Sequence, residues 1–320
     1  MASDNSNIQS MPTQVNQPVP LTKFQQLVKK HELSPIVAEQ LNTVLSTCEI
    51  VLVCDDSGSM DTEIVEPGMV RNPNAPKVTR WTELKVLACE IIKFTTAINP
   101  NGLDIYFFNR PTLRNVTSEI GLQQAFSSGP SGGTPLIGTL KKIYRDKNNL
   151  PRGKQLLIIV ATDDEQSDGD NEDLENILRN KGNNVHISLA ECTSNESEME
   201  YLDELDGKIP NFDNTDDYRV ERAKIQRLRG QNFKFDYSDY VIKILLATFI
   251  RWYFDLDQPG RNGTNSNYNT NSNYNSNSRY QATTSYQTPN TYQSTQVSAY
   301  DSSYNQPIKQ KKKNKGCIIM

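Results

Sequence analysis

Three observations predict a doubly wound α/β fold, with a mainly parallel central sheet and helices on both faces. Apolar runs of strand length, at 50–54, 103–108, 156–161 and 185–190, alternate with segments of helical periodicity, which is how strands joined by crossover helices read. Two runs, Ile50 to Cys54 and Leu156 to Ala161, are apolar at every position, as central strands covered on both sides must be. Both chain ends are too polar to bury a core: residues 1–20 are rich in Ser, Asn, Gln and Pro with one charged side chain, Asp4, and 258–308 are dominated by Asn, Gln, Ser, Thr and Tyr. They are expected to be disordered. The remaining stretch is long enough for one well-filled domain.

Residues 21–46 read as a helical lead-in. Phe24, Leu27 and Val28 mark a short amphipathic helix, and Ser34-Pro35 is an N-cap followed by Pro at the first position of a second helix. Val37, Leu41, Val44 and Leu45 give that helix its apolar stripe. The domain proper spans 47–257. Between its strands, Trp81, Leu84, Leu87, Ala88, Ile91 and Ile92 repeat at helical spacing, as do Leu136, Leu140 and Ile143, then Leu174, Ile177 and Leu178. Val185-His186-Ile187-Ser188-Leu189 alternates, which places that strand nearer an edge. Tyr240 to Tyr253 reads as one helix that closes the domain across the sheet.

Beyond it, 258–308 is a low-complexity linker in which Tyr268, Tyr274, Tyr280, Tyr286 and Tyr292 recur at every sixth residue. Evenly spaced aromatic stickers and a flexible spacer both fit; the spacer is favoured. As a coil of about 50 residues it has an r.m.s. span of about 40 Å.

The net charge of −4 hides an asymmetry, because Lys309, Lys311, Lys312, Lys313 and Lys315 stand in 309–320 with no acid among them. The rest of the chain carries 29 basic and 38 acidic side chains, or −9. An acidic body speaks against nonspecific nucleic-acid binding, and a basic tail suits an anionic membrane. Five cysteines without close pairing and no signal peptide point to a reducing cytosolic context. No apolar run reaches the length of a membrane span, since Lys243, Thr248 and Arg251 interrupt the longest cluster.

The chemistry-bearing residues sit where strands end. The first central strand runs into Asp55-Asp56-Ser57-Gly58-Ser59, a D-x-S-x-S pattern of carboxylate and hydroxyl oxygens suited to Mg²⁺ or Mn²⁺. The second ends in Thr162-Asp163-Asp164-Glu165, and a glycine-rich loop, Gly129 to Pro135, presents Thr134 just before a helix. Ligands of open parallel sheets bind at such carboxyl ends. Singly, each has a structural alternative: Thr134 as an N-cap, Asp163 as a turn cap, Ser57 to Ser59 as a polar turn. Jointly they favour a metal site.

This constellation resembles the metal-ion-dependent adhesion site of the von Willebrand factor A family, over about Glu49 to Asp257, and the resemblance implies its Rossmann-like fold. It further implies that Ser57, Ser59 and Thr134 offer hydroxyls to the ion directly, while Asp55 and Asp163 act largely through waters or hydroxyls. One coordination position would stay open for a carboxylate of a partner protein. The segments Trp81-Thr82-Glu83-Leu84, Gly102 to Asn109 and Gly132 to Pro135 resemble intracellular members of amoebae and fungi. Asp164 stands where many members have Gly; with Asp56, its charge is expected to weaken a carboxylate partner or favour Ca²⁺. Residues 61–80 make the loop after the motif unusually long, readable as a rim over the metal or as a disordered insertion.

The chain ends Gly316-Cys317-Ile318-Ile319-Met320, a C-a-a-X box whose terminal Met is associated with farnesyl on Cys317. A prenyl chain and the five lysines supply the two signals that stable anchoring needs, as in the tails of Ras-type proteins. The expected function is therefore a metal-dependent protein-binding module, not an enzyme, on the cytosolic face of a membrane, most simply the plasma membrane. The alternative is a metal-dependent phosphate hydrolase using Asp55, Asp56, Asp163 and Asp164. A small GTPase is excluded by the missing G-x-x-x-x-G-K-[ST] loop.

Overall fold

The protein is described by a computed structural model that covers residues 20–64, 77–195 and 198–259. The lead-in forms α1 (Lys23–Lys30) and α2 (Pro35–Thr47). Thr22 and Gln25 build a capping box on α1, and the Ser34 hydroxyl accepts from Val37 N–H at 3.3 Å, so the Ser-Pro start of α2 is realised. The domain continues through β1 (Cys48–Cys54), α3 (Arg80–Ile98), β2 (Leu103–Phe107), β3 (Leu113–Val116), α4 (Leu136–Asp146), β4 (Gln155–Thr162), α5 (Asn171–Arg179), β5 (Val185–Glu191), α6 (Glu200–Leu205), β6 (Phe212–Thr215), α7 (Tyr218–Arg229), α8 (Tyr237–Leu246) and α9 (Arg251–Phe254).

The strand order is β3-β2-β1-β4-β5-β6, parallel throughout except for β3, which runs antiparallel to β2. From β1 the chain winds outward through β2 to β3, returns beside β1 as β4, and winds the other way. The reversal between β1 and β4 is the switch point of a doubly wound sheet, and it opens a crevice at their carboxyl ends. Side chains of β1 and β4 alternate between two cores. Ile50, Leu52, Leu157 and Ile159 pack under α2, α3 and α8; Val51, Val53, Ile158 and Val160 pack under α4, α5 and α6.

Two expectations need correction. Strand β5 does lie next to an edge strand, yet every residue of it is buried. Its polar positions are covered because the His186 ring stacks on Phe249 at 3.8 Å and Ser188 is sealed completely. The closing helix is also interrupted: α8 ends at Leu246 and α9 begins at Arg251, with Thr248 and Phe249 turned onto His186 between them. Lys243, read from sequence as a break in an apolar cluster, is fully buried and lies 3.5 Å from Asp213, 3.5 Å from Glu221 and 3.6 Å from Asp257. It ties α8 to the short polar strand β6 and to the end of the domain. Among the described residues no helix is long and apolar enough to cross a membrane.

Candidate metal centre

Register sets the site. Cys54 is paired with both Phe107 and Ala161, so β1 and β4 end level, and Asp55 N–H donates to the Ala161 carbonyl at 2.9 Å. A short 3-10 turn, Gly58–Asp61, then carries the motif over the crevice. Gly58 N–H donates to the Gly132 carbonyl at 3.1 Å and Ser131 N–H to the Asp56 carbonyl at 2.7 Å, which binds the glycine-rich loop to the motif.

Four of the sequence-predicted residues lie on one hydrogen-bonded path. Asp55 Oδ1 accepts from Ser57 N–H at 2.8 Å and its Oδ2 from the Thr162 hydroxyl at 2.5 Å. The Ser57 and Ser59 hydroxyls are 2.9 Å apart, and Ser59 donates to Asp163 Oδ1 at 2.8 Å. Asp163 Oδ2 accepts from Arg80 Nη1 at 2.8 Å. All four carboxylate oxygens of Asp55 and Asp163 are thus engaged by protein donors, and both residues are fully buried. Burial pushes the Asp55 carboxyl up to about 6, opposed by the hydrogen bonds from Ser57 and Thr162. It raises Asp163 as well, against the pull of Arg80 and Ser59.

Thr134 reaches the same rim through its backbone. Its N–H donates to the Ser167 hydroxyl at 2.9 Å, and its carbonyl accepts from Ser167 N–H at 2.9 Å. The N-cap alternative for Thr134 is not realised: α4 starts at Leu136 with Pro135 in the cap position and no side-chain cap bond there. Asp168 does that work from the neighbouring loop, accepting from Ile137 N–H at 3.1 Å and Gly138 N–H at 2.6 Å. Asp163 likewise faces Ser59 and Arg80 instead of capping a turn.

The two acids expected to add charge to the site are turned elsewhere. Asp164 is exposed and its carboxylate accepts from Glu165 N–H at 2.8 Å. Asp56 is buried, with Oδ1 accepting from Asn109 N–H at 2.8 Å and Oδ2 lying 3.3 Å from Arg110 Nε. Asn109 also donates to the Gly133 carbonyl at 2.8 Å, and Gly132 has φ +108°, where an added Cβ would meet Asn109 Oδ1 at 2.3 Å. Glycine lets this loop close on the motif.

The donor set fits a hard cation. Adjacent ligands of an octahedral Mg²⁺ with bonds of 2.0–2.1 Å stand roughly 2.9 Å apart, and the Ser57 and Ser59 oxygens are 2.9 Å apart. The long loop after the motif is pinned at its base by the Glu63–Thr79 bridge and by Ile64 N–H to the Val78 carbonyl at 2.8 Å. Residues 65–76, the linker beyond 259, the five tail lysines and Cys317 lie outside the described residues.

Sequence reasoning missed Arg80, Thr162, Ser167 and Asp168, since a supporting donor or cap carries no motif of its own. It also missed a second acidic group on the same side of the sheet: Glu191, Asp203 and Asp216 place one carboxylate oxygen each within 4.8 Å of one another. Of these, only Glu191 had a signal, a carboxylate ending an apolar strand.

No protein-family model matches the chain, and no curated protein matches it. Among solved structures it is similar to manganese-loaded TRAP protein of Plasmodium vivax, at 14% identity and TM-score 0.38, covering 56% of this chain and 72% of that one. It is also similar to a von Willebrand factor type A protein of Catenulispora acidiphila, at 13% identity and TM-score 0.35, covering 66% of this chain and 42% of the other. These are distant likenesses; the fold assignment rests on the strand order itself.

Proposed function

We propose that this chain is a metal-dependent protein-binding module of the von Willebrand factor A type, tethered by its tail to the cytosolic face of a membrane. Ser57, Ser59 and Thr134 would hold Mg²⁺, with Mn²⁺ or Ca²⁺ as alternatives, while Asp55 and Asp163 hold the hydroxyls. The observation that carries this reading is that every carboxylate oxygen of Asp55 and Asp163 already has a protein donor. Neutral hydroxyls are then what the ion meets, and an ion with few charged ligands keeps the positive charge that draws a carboxylate from a partner.

The hydrolase alternative finds less support. Catalysis would need a carboxylate or imidazole free to move a proton. His31 is bonded to Ser238 at 2.7 Å, and His186 is stacked inside the sheet.

Tethering rests on Cys317 and the lysines Lys309, Lys311, Lys312, Lys313 and Lys315, read as a farnesylated, polybasic anchor for an anionic membrane. Proximity labelling in cells tests both parts. Ser59→Ala is expected to lose the partner set of the wild type while keeping its membrane, and Cys317→Ser to release the chain from membranes. Labelling by Ser59→Ala identical to wild type would end the metal-dependent reading; membrane retention of Cys317→Ser would end the anchor.

A further inference from the structure

Helix α1 carries three cations and no acid. Lys23, Lys29 and Lys30 are all exposed, and among the described residues none of them has a carboxylate partner. Lys29 and Lys30 stand in the last turn, where the helix dipole favours positive charge. Lys23 opens the helix, where the dipole opposes it, and no acid in the first turn offsets it. Helix stability therefore gives no reason for Lys23.

Lys23, Gln26, Leu27 and Lys30 recur at helical spacing on one side of α1 and, with Lys93 and Ala97 of α3, line a cleft of about 230 Å³. Leu27 and Ala97 give it an apolar lining between the lysines. Lys93 is claimed by Glu90 at 2.8 Å and Glu119 at 3.0 Å, so Lys23 and Lys30 are the free charges of the cleft. Two residues ahead of it, Leu21 is an apolar side chain 45% exposed. The cleft is remote from the metal centre: Arg80, which opens α3, reaches Asp163, whereas Lys93 lies about 20 Å further along the same helix at 1.5 Å per residue.

The counter-charge must come from outside the chain. Residues 1–19 hold one acid, Asp4, and 65–76 hold Glu66; 260–320 hold Asp301 against Arg261, Arg279 and the five tail lysines. None of these segments is an anionic occupant. Lysines are compact point charges on flexible stems, suited to a fluid layer of headgroups, whereas the planar fork of arginine matches a fixed carboxylate or phosphate. Their stems also lie well along apolar surface while the ammonium reaches outward.

We infer that the cleft between α1 and α3, with Leu21 ahead of it, is a second membrane contact that takes anionic phospholipid at the bilayer surface and leaves the metal crevice open to the cytosol. It presupposes the tail anchor proposed above, whose linker holds the domain within about 40 Å of the surface and so raises the effective concentration of a contact too weak to act alone.

The test uses the full chain with Cys317→Ser, unprenylated and in chelator, so that neither farnesyl nor metal enters the result. Binding is measured by sedimentation with vesicles of about 30% phosphatidylserine in phosphatidylcholine, and with phosphatidylcholine alone. Lys23→Gln with Lys30→Gln, a change that keeps helix propensity, should weaken binding to the anionic vesicles about thirtyfold, at about 1 kcal/mol for each lysine. Lys23→Arg with Lys30→Arg should keep it. Lys77→Gln with Lys141→Gln, two exposed lysines outside the cleft, should change it less than about threefold. A loss under about tenfold in the first pair, an equal loss in the Lys77 and Lys141 pair, or equal binding to the neutral vesicles would overturn the inference. A chain with its five tail lysines changed to Gln tells the two readings apart: unchanged binding there would end the polybasic anchor and place the whole contact on the domain.

Discussion

Replacing His186 by Phe should reverse the order of stability between neutral and mildly acidic pH. His186 is 7% exposed on β5, its ring lies 3.8 Å from the Phe249 ring at 12°, and Nδ1 is 3.1 Å from the Thr248 carbonyl. Burial pulls its pKa from 6.5 down to about 4, with the Thr248 carbonyl opposing and Lys181 assisting. Between those two values the unfolded chain binds a proton that the folded chain refuses. Stability contributed by the neutral ring is therefore complete above pH 6.5 and is lost as pH falls toward 4. Integrated from pH 7 to pH 5, the loss is about 2 kcal/mol.

The Phe variant keeps the ring stack and removes the titration, at the cost of one hydrogen bond, about 1 kcal/mol at either pH. It should thus be less stable than wild type by about 1 kcal/mol at pH 7 and more stable by about 1 kcal/mol at pH 5. Buried acids act in the opposite sense. Glu191, held up at about 8, and Asp206, at about 7, keep protons in the folded state and favour it as pH falls. They are common to both chains and cancel in the difference. Urea unfolding at the two pH values measures it, and a difference between the chains that stays constant with pH would refute the reasoning.

Two further perturbations probe the supports of the hydroxyl site. Arg80→Ala leaves the fully buried Asp163 without its cation, so the metal-free chain should lose about 3 kcal/mol, measured by denaturation in chelator; Arg80→Lys should recover part of that loss, and equal losses in the two variants would show that shape and not charge is what Arg80 contributes. Asp168→Ala removes the remote cap of α4 and should cost about 1 kcal/mol, with hydrogen exchange quickening at the Ile137 and Gly138 amides while β4 amides keep their protection; unchanged exchange at those two amides would refute the cap.

The central strands were legible because both faces of β1 and β4 are buried, and a fully apolar run has few other uses. The lead-in helices were legible through the apolar spacing of Phe24, Leu27 and Val28 and through the Ser34 cap, while the Thr22 cap was not read. Strands β3 and β6 were not, for a physical reason. Leu113 to Val116 is half exposed, and Phe212 to Thr215 is polar, so neither carries an apolar signature. Strand β6 is buried because Lys243 comes from α8 to meet Asp213, and Asp213 and Thr215 bond each other at 2.8 Å. Partners some 30 residues apart leave no mark in a local pattern. The same holds for β5, whose alternation predicted exposure that Phe249 removes.

The hydroxyl site divides along the same line. Strand ends and loop composition single out Asp55, Ser57, Ser59, Thr134 and Asp163 as candidates, but not the hydrogen bonds that hold them. Whether a buried carboxylate meets an ion directly depends on who else claims its oxygens. Here the claimants are Thr162, Arg80, the Ser59 hydroxyl and the backbone of Ser57, and the motif names neither Thr162 nor Arg80. Asp56 and Asp164 make the converse case. By composition they belong to an acidic site, yet Asn109 with Arg110 and the Glu165 backbone hold them away from it. The charge presented at the crevice is therefore much smaller than the number of aspartates at the two strand ends implies. On the proposed reading, a cation held there would keep its attraction for a carboxylate brought by another protein.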